Sequence, residues 1–191
     1  MNLLFYGASS ASIDKKYLDR TENLAYKFAQ KGCNLVFGAG GHGNMGAAAR
    51  GFYKAKAKII GVVPRFFNVD GILFDNCDEL IRTDTMRERK QIMEDRCDAF
   101  ITTPGGIGTY EEFFEILTLK QLGRHNKAMV LYNVDGYYDN IIKMMKTSVE
   151  QKFMRETVFD LFLVSDNDEE IIDYILNYDD KVGSIQDYKF I

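Results

Sequence analysis

The sequence predicts an α/β protein: a doubly wound, mostly parallel sheet with helices on both faces. Three observations carry this. Short apolar runs alternate along the chain with longer segments of helical period, and that alternation puts helical crossovers between parallel strands. One run, KIIGVVP at residues 58–64, is apolar without alternation, as a strand buried on both faces requires. Two glycine-rich stretches each follow a predicted strand and open a predicted helix, outside the carboxyl edge of the sheet where ligands of such folds sit.

NLLFY at residues 2–6 is a first strand ending at Gly7. Residues 12–32 read as a helix, because Tyr17, Leu24 and Phe28 recur at helical spacing and Gly32 stops it. NLVFG (34–38) is a second strand, followed by a glycine loop and a small-residue helix from about 45 to 56. After the 58–64 strand, residues 65–77 show no period and read as an irregular loop, and DELIRT (78–83) as a short strand. Residues 84–96 are helical, with Asp84 or Thr85 as cap and Met86, Lys90 and Met93 near one stripe. DAFITTPGG (98–106) is a strand running into a glycine turn. Helices over 109–123 and 137–153 flank a strand at 127–133. VFDLFLVS (158–165) reads as a last strand, and 166–178 as a last helix capped by Asp166 or Asn167. The whole, residues 1–191, reads as one domain, with a polar tail over 179–191 expected to wander.

Composition narrows the function classes. The chain has 191 residues, 46% hydrophobic and 27% charged, enough for one sizeable core and unlike a disordered chain. A net charge of −4 argues against nucleic-acid binding through a basic surface. No apolar run is long enough to span a membrane, and the N-terminal MNLLFYGASS lacks the basic region of a leader. Cys33, Cys77 and Cys97 share no CxxC spacing, and with two histidines they offer no metal site; reduced thiols of a cytoplasmic protein are the reading. His42 and His125 are expected in turns or at the surface, without catalytic duty.

GAGGHGNMG (38–46) supports two readings. It is an anion site in which Gly40, Gly43, Met45 and Gly46 bring backbone and a helix N-terminus to a phosphate, or it is a tight strand-to-helix turn. It lacks the Gly-Lys-Ser/Thr ending of a P-loop, and Arg65 stands where a dinucleotide site would place an acid. PGGIGTYEE (104–112) says more. Pro104 ends the strand, and Gly105, Gly106 and Gly108 let several amides converge. Thr109 and Glu112 also satisfy a capping box, which is the purely structural reading of that glutamate. A capping box does not need three glycines before it; something that approaches the backbone does. Upstream, MRERKQIM (86–93) carries Arg87, on a solvated face, together with Arg89 and Lys90. Arg89 lies 23 residues before Glu112, separated by part of a helix, a strand and a turn, so the topology can bring both to one strand edge.

MRERKQIM followed by PGGIGTYEE resembles the paired signature of the LOG (Lonely Guy) family, the cytokinin riboside 5′-monophosphate phosphoribohydrolases, whose members were often labelled lysine decarboxylases. FYGASS, GAGGHGNMG, GVVP and QLGRHNKAMVLYNVDGYYDNI are similar to further family segments, so the resemblance covers nearly the whole chain. It implies a Rossmann-like homodimer that hydrolyses the N-glycosidic bond of AMP or a related adenosine-type 5′-monophosphate, giving free base and ribose 5-phosphate with no cofactor and no metal. Arg89 and Glu112 match the family's catalytic pair. Lys90, Gly105, Gly106, Ile107, Gly108, Thr109, Glu111 and Thr118 fall on its substrate-binding positions. This chain departs from the family at Ala39 and Asn44 in the first loop, at Arg87 where histidine is common, and over residues 68–75, where Asp70 is the nearest acid.

The chemistry suits these residue types. Breaking an N-glycosidic bond builds positive charge on the ribose, which a carboxylate stabilises while it positions or deprotonates water. That role goes to Glu112. A guanidinium stays charged near neutral pH and cannot serve as the acid, so Arg89 orients Glu112 and contacts phosphate or leaving base. The alternative is a carrier of a nucleotide or of molybdenum cofactor, without chemistry. Against it stands Glu112, because a carboxylate beside a bound phosphate repels it. Pyridoxal-dependent decarboxylation needs a Schiff-base lysine and a much larger scaffold.

Overall fold

The computed structural model describes residues 1–67, 71–179 and 188. In chain order the elements are β1 (Asn2–Tyr6), α1 (Lys15–Gln30), β2 (Asn34–Phe37), α2 (Gly43–Lys54), β3 (Ile59–Pro64), β4 (Glu79–Thr83) and α3 (Met86–Arg96). They continue with β5 (Ala99–Thr102), α4 (Ile107–Gln121), β6 (Ala128–Tyr132), α5 (Asp139–Glu150), β7 (Leu163–Ser165) and α6 (Asp168–Leu176). The seven strands form one sheet in the order β4-β3-β2-β1-β5-β6-β7, every pairing parallel. Strand order reverses at β1, which pairs with β2 on one side and β5 on the other.

Side chains alternate across each strand, so every central strand feeds two cores. Leu3 and Phe5 of β1 join Leu35 and Phe37 of β2 beneath α1, α2 and α6. Leu4 and Tyr6 join Val36, Phe100 and Met129 on the opposite face beneath α3, α4 and α5. All six residues of β3 are buried, as its unbroken apolar run requires. Helix α2 lies close to α1 because Gly51 has no side chain; a β-carbon there would meet the backbone of Glu22 and come within 2.8 Å of Ala25 Cβ.

Two expectations are corrected. Helix α4 begins at Ile107 with Gly106 as its N-cap, so Thr109 lies inside the first turn and is no cap. The Thr109–Glu112 capping box therefore does not form; Thr109 is buried and fills the space left by Gly105. The strand expected over 158–165 is confined to Leu163–Ser165, preceded by a 3-10 turn at Glu156–Leu161. Val158 and Leu161 are both buried: three residues apart they share a face in a 3-10 turn, while a strand buried on both faces would bury them too, on opposite sides, so a short apolar run fits either. Asp70 and most of the 179–191 tail lie outside the described residues.

Candidate active site

At the switch point the loops after β1 and β5 part to opposite faces of the sheet, and a cleft of about 590 Å³ opens at their carboxyl ends. Its walls come from Gly7, Ala8, Ser9 and Ser10 after β1, from Gly38, Gly40, His42 and Met45 around the start of α2, and from Val63 and Pro64 of β3. Phe67, Ile72 and Leu73 follow from the next loop, then Met86 and Arg89 of α3, and Gly106, Ile107, Gly108, Thr109 and Glu112 at the start of α4.

Arg89 and Glu112 meet inside this cleft. Arg89 Nη1 donates to Glu112 Oε1 at 3.3 Å, with the two side chains only 9% and 13% exposed. Arg89 Nε donates to the carbonyl of Val62 at 3.1 Å, so the guanidinium is held by the end of β3 as well as by its partner. Burial pushes the Glu112 carboxyl up to about 7; the Arg89 charge and hydrogen bond pull the other way and offset only part of it.

The loop between β5 and α4 is held by its carbonyls. Tyr138 Oη donates to Thr103 O at 2.7 Å, and Tyr137 Oη to Gly105 O at 2.6 Å. Between them, Pro104 O accepts from the Ala8 amide at 3.2 Å and from Asn44 Nδ2 at 2.7 Å. Three consecutive carbonyls are thus turned toward the scaffold. The first helical bond runs from the Tyr110 amide to Gly106 O, so the preceding amides of α4 have no acceptor within the helix. With the positive end of the helix dipole they make this end of the cleft suited to an anion. A β-carbon at Gly106 or Gly108 would meet nothing within 4 Å; neither glycine is required by packing inside the chain.

Of the residues that sequence assigned to the site, Arg89, Glu112, Gly40, Met45, Gly106, Ile107, Gly108 and Thr109 line the cleft. The others do not. Lys90 Nζ turns to Glu111 at 2.5 Å and Glu115 at 2.6 Å across the α3–α4 surface. Beside them burial, then Glu115, push the Glu94 carboxyl up to about 7. Thr118 lies on an exposed position further along α4. Gly105 is occupied with Thr109 and Tyr137. Gly43 and Gly46 lie against the carbonyls of Ala8 and Gly41 with no room for a side chain, as the tight-turn reading of this part of the first loop requires. His42 is exposed at the rim of the cleft, whereas His125 is half-buried, its Nε2 paired with Ile116 O at 2.8 Å and burial pushing its pKa down to about 4. Sequence reading did not nominate Gly38, the β1 loop or the Phe67–Ile72–Leu73 wall; the Gly-Ala-Ser-Ser after the first strand was the available signal for the β1 loop. Among the described residues no group of three His, Cys, Asp or Glu could hold a metal ion, and no lysine lines the cleft.

Fold and site together define a Rossmann-like α/β protein with a buried arginine–glutamate pair at its switch-point cleft. A family model described as "Possible lysine decarboxylase" matches residues 45–175. The chain is 31% identical to cytokinin riboside 5′-monophosphate phosphoribohydrolase LOG2 of Arabidopsis thaliana, over 95% of this chain and 87% of that one. It is 33% identical to LOG5 of the same plant, over 92% and 76%. The chain belongs to the LOG family. Among solved structures, a molybdenum cofactor binding protein of Rippkaea orientalis aligns at a TM-score of 0.67 with 20% identity, over 92% of this chain and 93% of that one. The molybdenum cofactor carrier protein of Chlamydomonas reinhardtii aligns at 0.67 and 20%, over 92% and 97%. At that identity these two show the fold alone.

Proposed function

We propose that this chain hydrolyses the N-glycosidic bond of an adenosine-type nucleoside 5′-monophosphate, AMP or a cytokinin riboside 5′-monophosphate, to free base and ribose 5-phosphate. The observation that carries the reading is the buried Arg89–Glu112 pair facing the cleft beside the N-terminus of α4. The names of the LOG relatives support the same reaction.

On this reading the 5′-phosphate sits on the amides that open α4, and the base lies toward Met45, Val63, Phe67, Ile72 and Leu73. As the bond to the base breaks, its electron pair leaves with the base and positive charge gathers on the ribose. The Glu112 carboxylate stabilises that charge and takes a proton from the attacking water; the proton ends on the departed base. Arg89 keeps Glu112 aimed at the anomeric carbon and keeps part of its population ionised. An apolar base wall suits an N6 alkyl substituent, so a prenylated AMP belongs in the assay beside AMP. Kinship with LOG proteins also leads us to propose a homodimer, to be read by sedimentation velocity as twice the 21.9 kDa chain mass.

The test is release of free base from a panel of nucleoside monophosphates. Purified protein is expected to release base from AMP or its N6-prenylated analogue, and Glu112→Gln and Arg89→Ala to abolish release with the fold intact by circular dichroism. Tight binding without release from any monophosphate overturns the reading in favour of a carrier.

A further inference from the structure

Gly38 closes β2 at the floor of the cleft, directly under the Arg89 guanidinium. A β-carbon there would overlap Arg89 Nη2, lie 3.0 Å from Arg89 Cζ and lie 3.2 Å from Met45 Sδ. Gly38 is not among the residues with positive φ, so its backbone shape is open to any amino acid. Glycine at this position is explained by what lies above it.

The guanidinium is planar, and its three nitrogens meet three different constraints. Nε donates to Val62 O at 3.1 Å and Nη1 to Glu112 Oε1 at 3.3 Å. Nη2 occupies the volume that a side chain at 38 would fill. Because the fork is rigid, displacing Nη2 tilts both remaining donors off their acceptors. A carbonyl, a carboxylate and an empty volume together fix one orientation.

We propose that Gly38 is a positioning residue of the site: its missing side chain seats the Arg89 guanidinium so that Arg89 holds Glu112. The proposal rests on the reaction assigned above for its kinetic consequence, and on geometry alone for its effect on Glu112. The charged and titratable groups facing Glu112 are Arg89 and Lys90 from α3, Glu111 from its own helix and Tyr6 from β1. Arg89 is the principal group that favours its ionised form. With the guanidinium displaced, the Glu112 carboxyl titrates higher.

Four proteins decide it: wild type, Gly38→Ala, Arg89→Ala and the double variant. Carboxyl NMR of Glu112 in the free protein is expected to show the titration moving to higher pH in Gly38→Ala, in the same direction as in Arg89→Ala. In the double variant it is expected to match Arg89→Ala alone. Base release is expected to fall at least tenfold in Gly38→Ala, and adding Gly38→Ala to Arg89→Ala is expected to lower the urea midpoint less than adding it to wild type does, because the methyl then has no guanidinium to strike. Should Gly38→Ala fail to fold while the double variant folds, the clash with Arg89 is established by that rescue. An unmoved Glu112 titration in folded Gly38→Ala overturns the proposal, as does a urea midpoint lowered by Gly38→Ala as much in the Arg89→Ala background as in wild type, or a double variant that fails to fold where Arg89→Ala folds. If wild type releases no base from any nucleotide, the assigned reaction fails, and the NMR titration still decides the role of Gly38.

Discussion

Glu112 is a carboxylate that its surroundings keep near half-ionisation at neutral pH. Burial raises it to about 7, and the chemistry proposed here uses its ionised form. kcat/KM for base release is therefore expected to rise with pH through about 7 and then level off, the limb reporting the free protein. The same shift has a thermodynamic face. A group whose folded pKa exceeds its unfolded value adds stability below the unfolded value, and that stability is lost as pH rises through the folded one. Wild type is thus expected to gain stability relative to Glu112→Gln as pH falls from about 7 toward 4.5, read from paired thermal melts. Parallel melting curves across that range would mean that Glu112 does not titrate there. Sequence offered a capping box with Thr109 as the purely structural reading of Glu112, and that box is absent because the helix starts two residues earlier. The pairing with Arg89 could be named from the signature, but its burial could not, since burial depends on β3 and α3 closing over it.

Between β5 and α4, the loop owes its shape to hydroxyls from a distant segment. Tyr138 Oη reaches Thr103 O from 35 residues away, in a region of tertiary contact that no local pattern encodes. Tyr138→Phe leaves the ring in place and strips that buried carbonyl of its donor, a loss of about 1–3 kcal/mol. The expected result is a lower urea midpoint with unchanged slope and slower base release. An unchanged midpoint would show that the loop does not need this tether. Elements themselves were legible where period and punctuation agreed. β3 was plain from its apolar run, and α3 from Thr85, whose side chain accepts from the Glu88 amide at 3.1 Å. The 158–165 segment was not, because four residues at apolar spacing fit a strand and a 3-10 turn alike, and only packing against α4 decides.

Across the whole molecule, charge and site pull in different directions. The chain carries a net charge of −4, and Arg89 is the one arginine or lysine lining the cleft among the described residues. On the proposed reading, a phosphorylated substrate would find one cationic side chain in the cleft wall. Recognition would then rest on short-range amides and a buried guanidinium, which salt screens poorly. kcat/KM is expected to change less than about threefold between 50 and 300 mM salt, where a basic surface site would lose far more. A steep decline would point to cationic residues outside the cleft. The parallel sheet was legible at this scale because alternation of strand and helix leaves few topologies. Which loop faces which was not, for that is set by the reversal of strand order at β1.

The tethered carbonyls also have an optical consequence. The chain has 11 tyrosines and no tryptophan, so its near-ultraviolet spectrum is a tyrosine spectrum undisturbed by indole. Two of those phenols, Tyr137 and Tyr138, are bonded directly to the loop that opens α4. A ligand settling on that loop is expected to shift their absorption without any label. The difference spectrum on titration, and its loss in the paired phenylalanine variants, would follow occupancy of the cleft in real time.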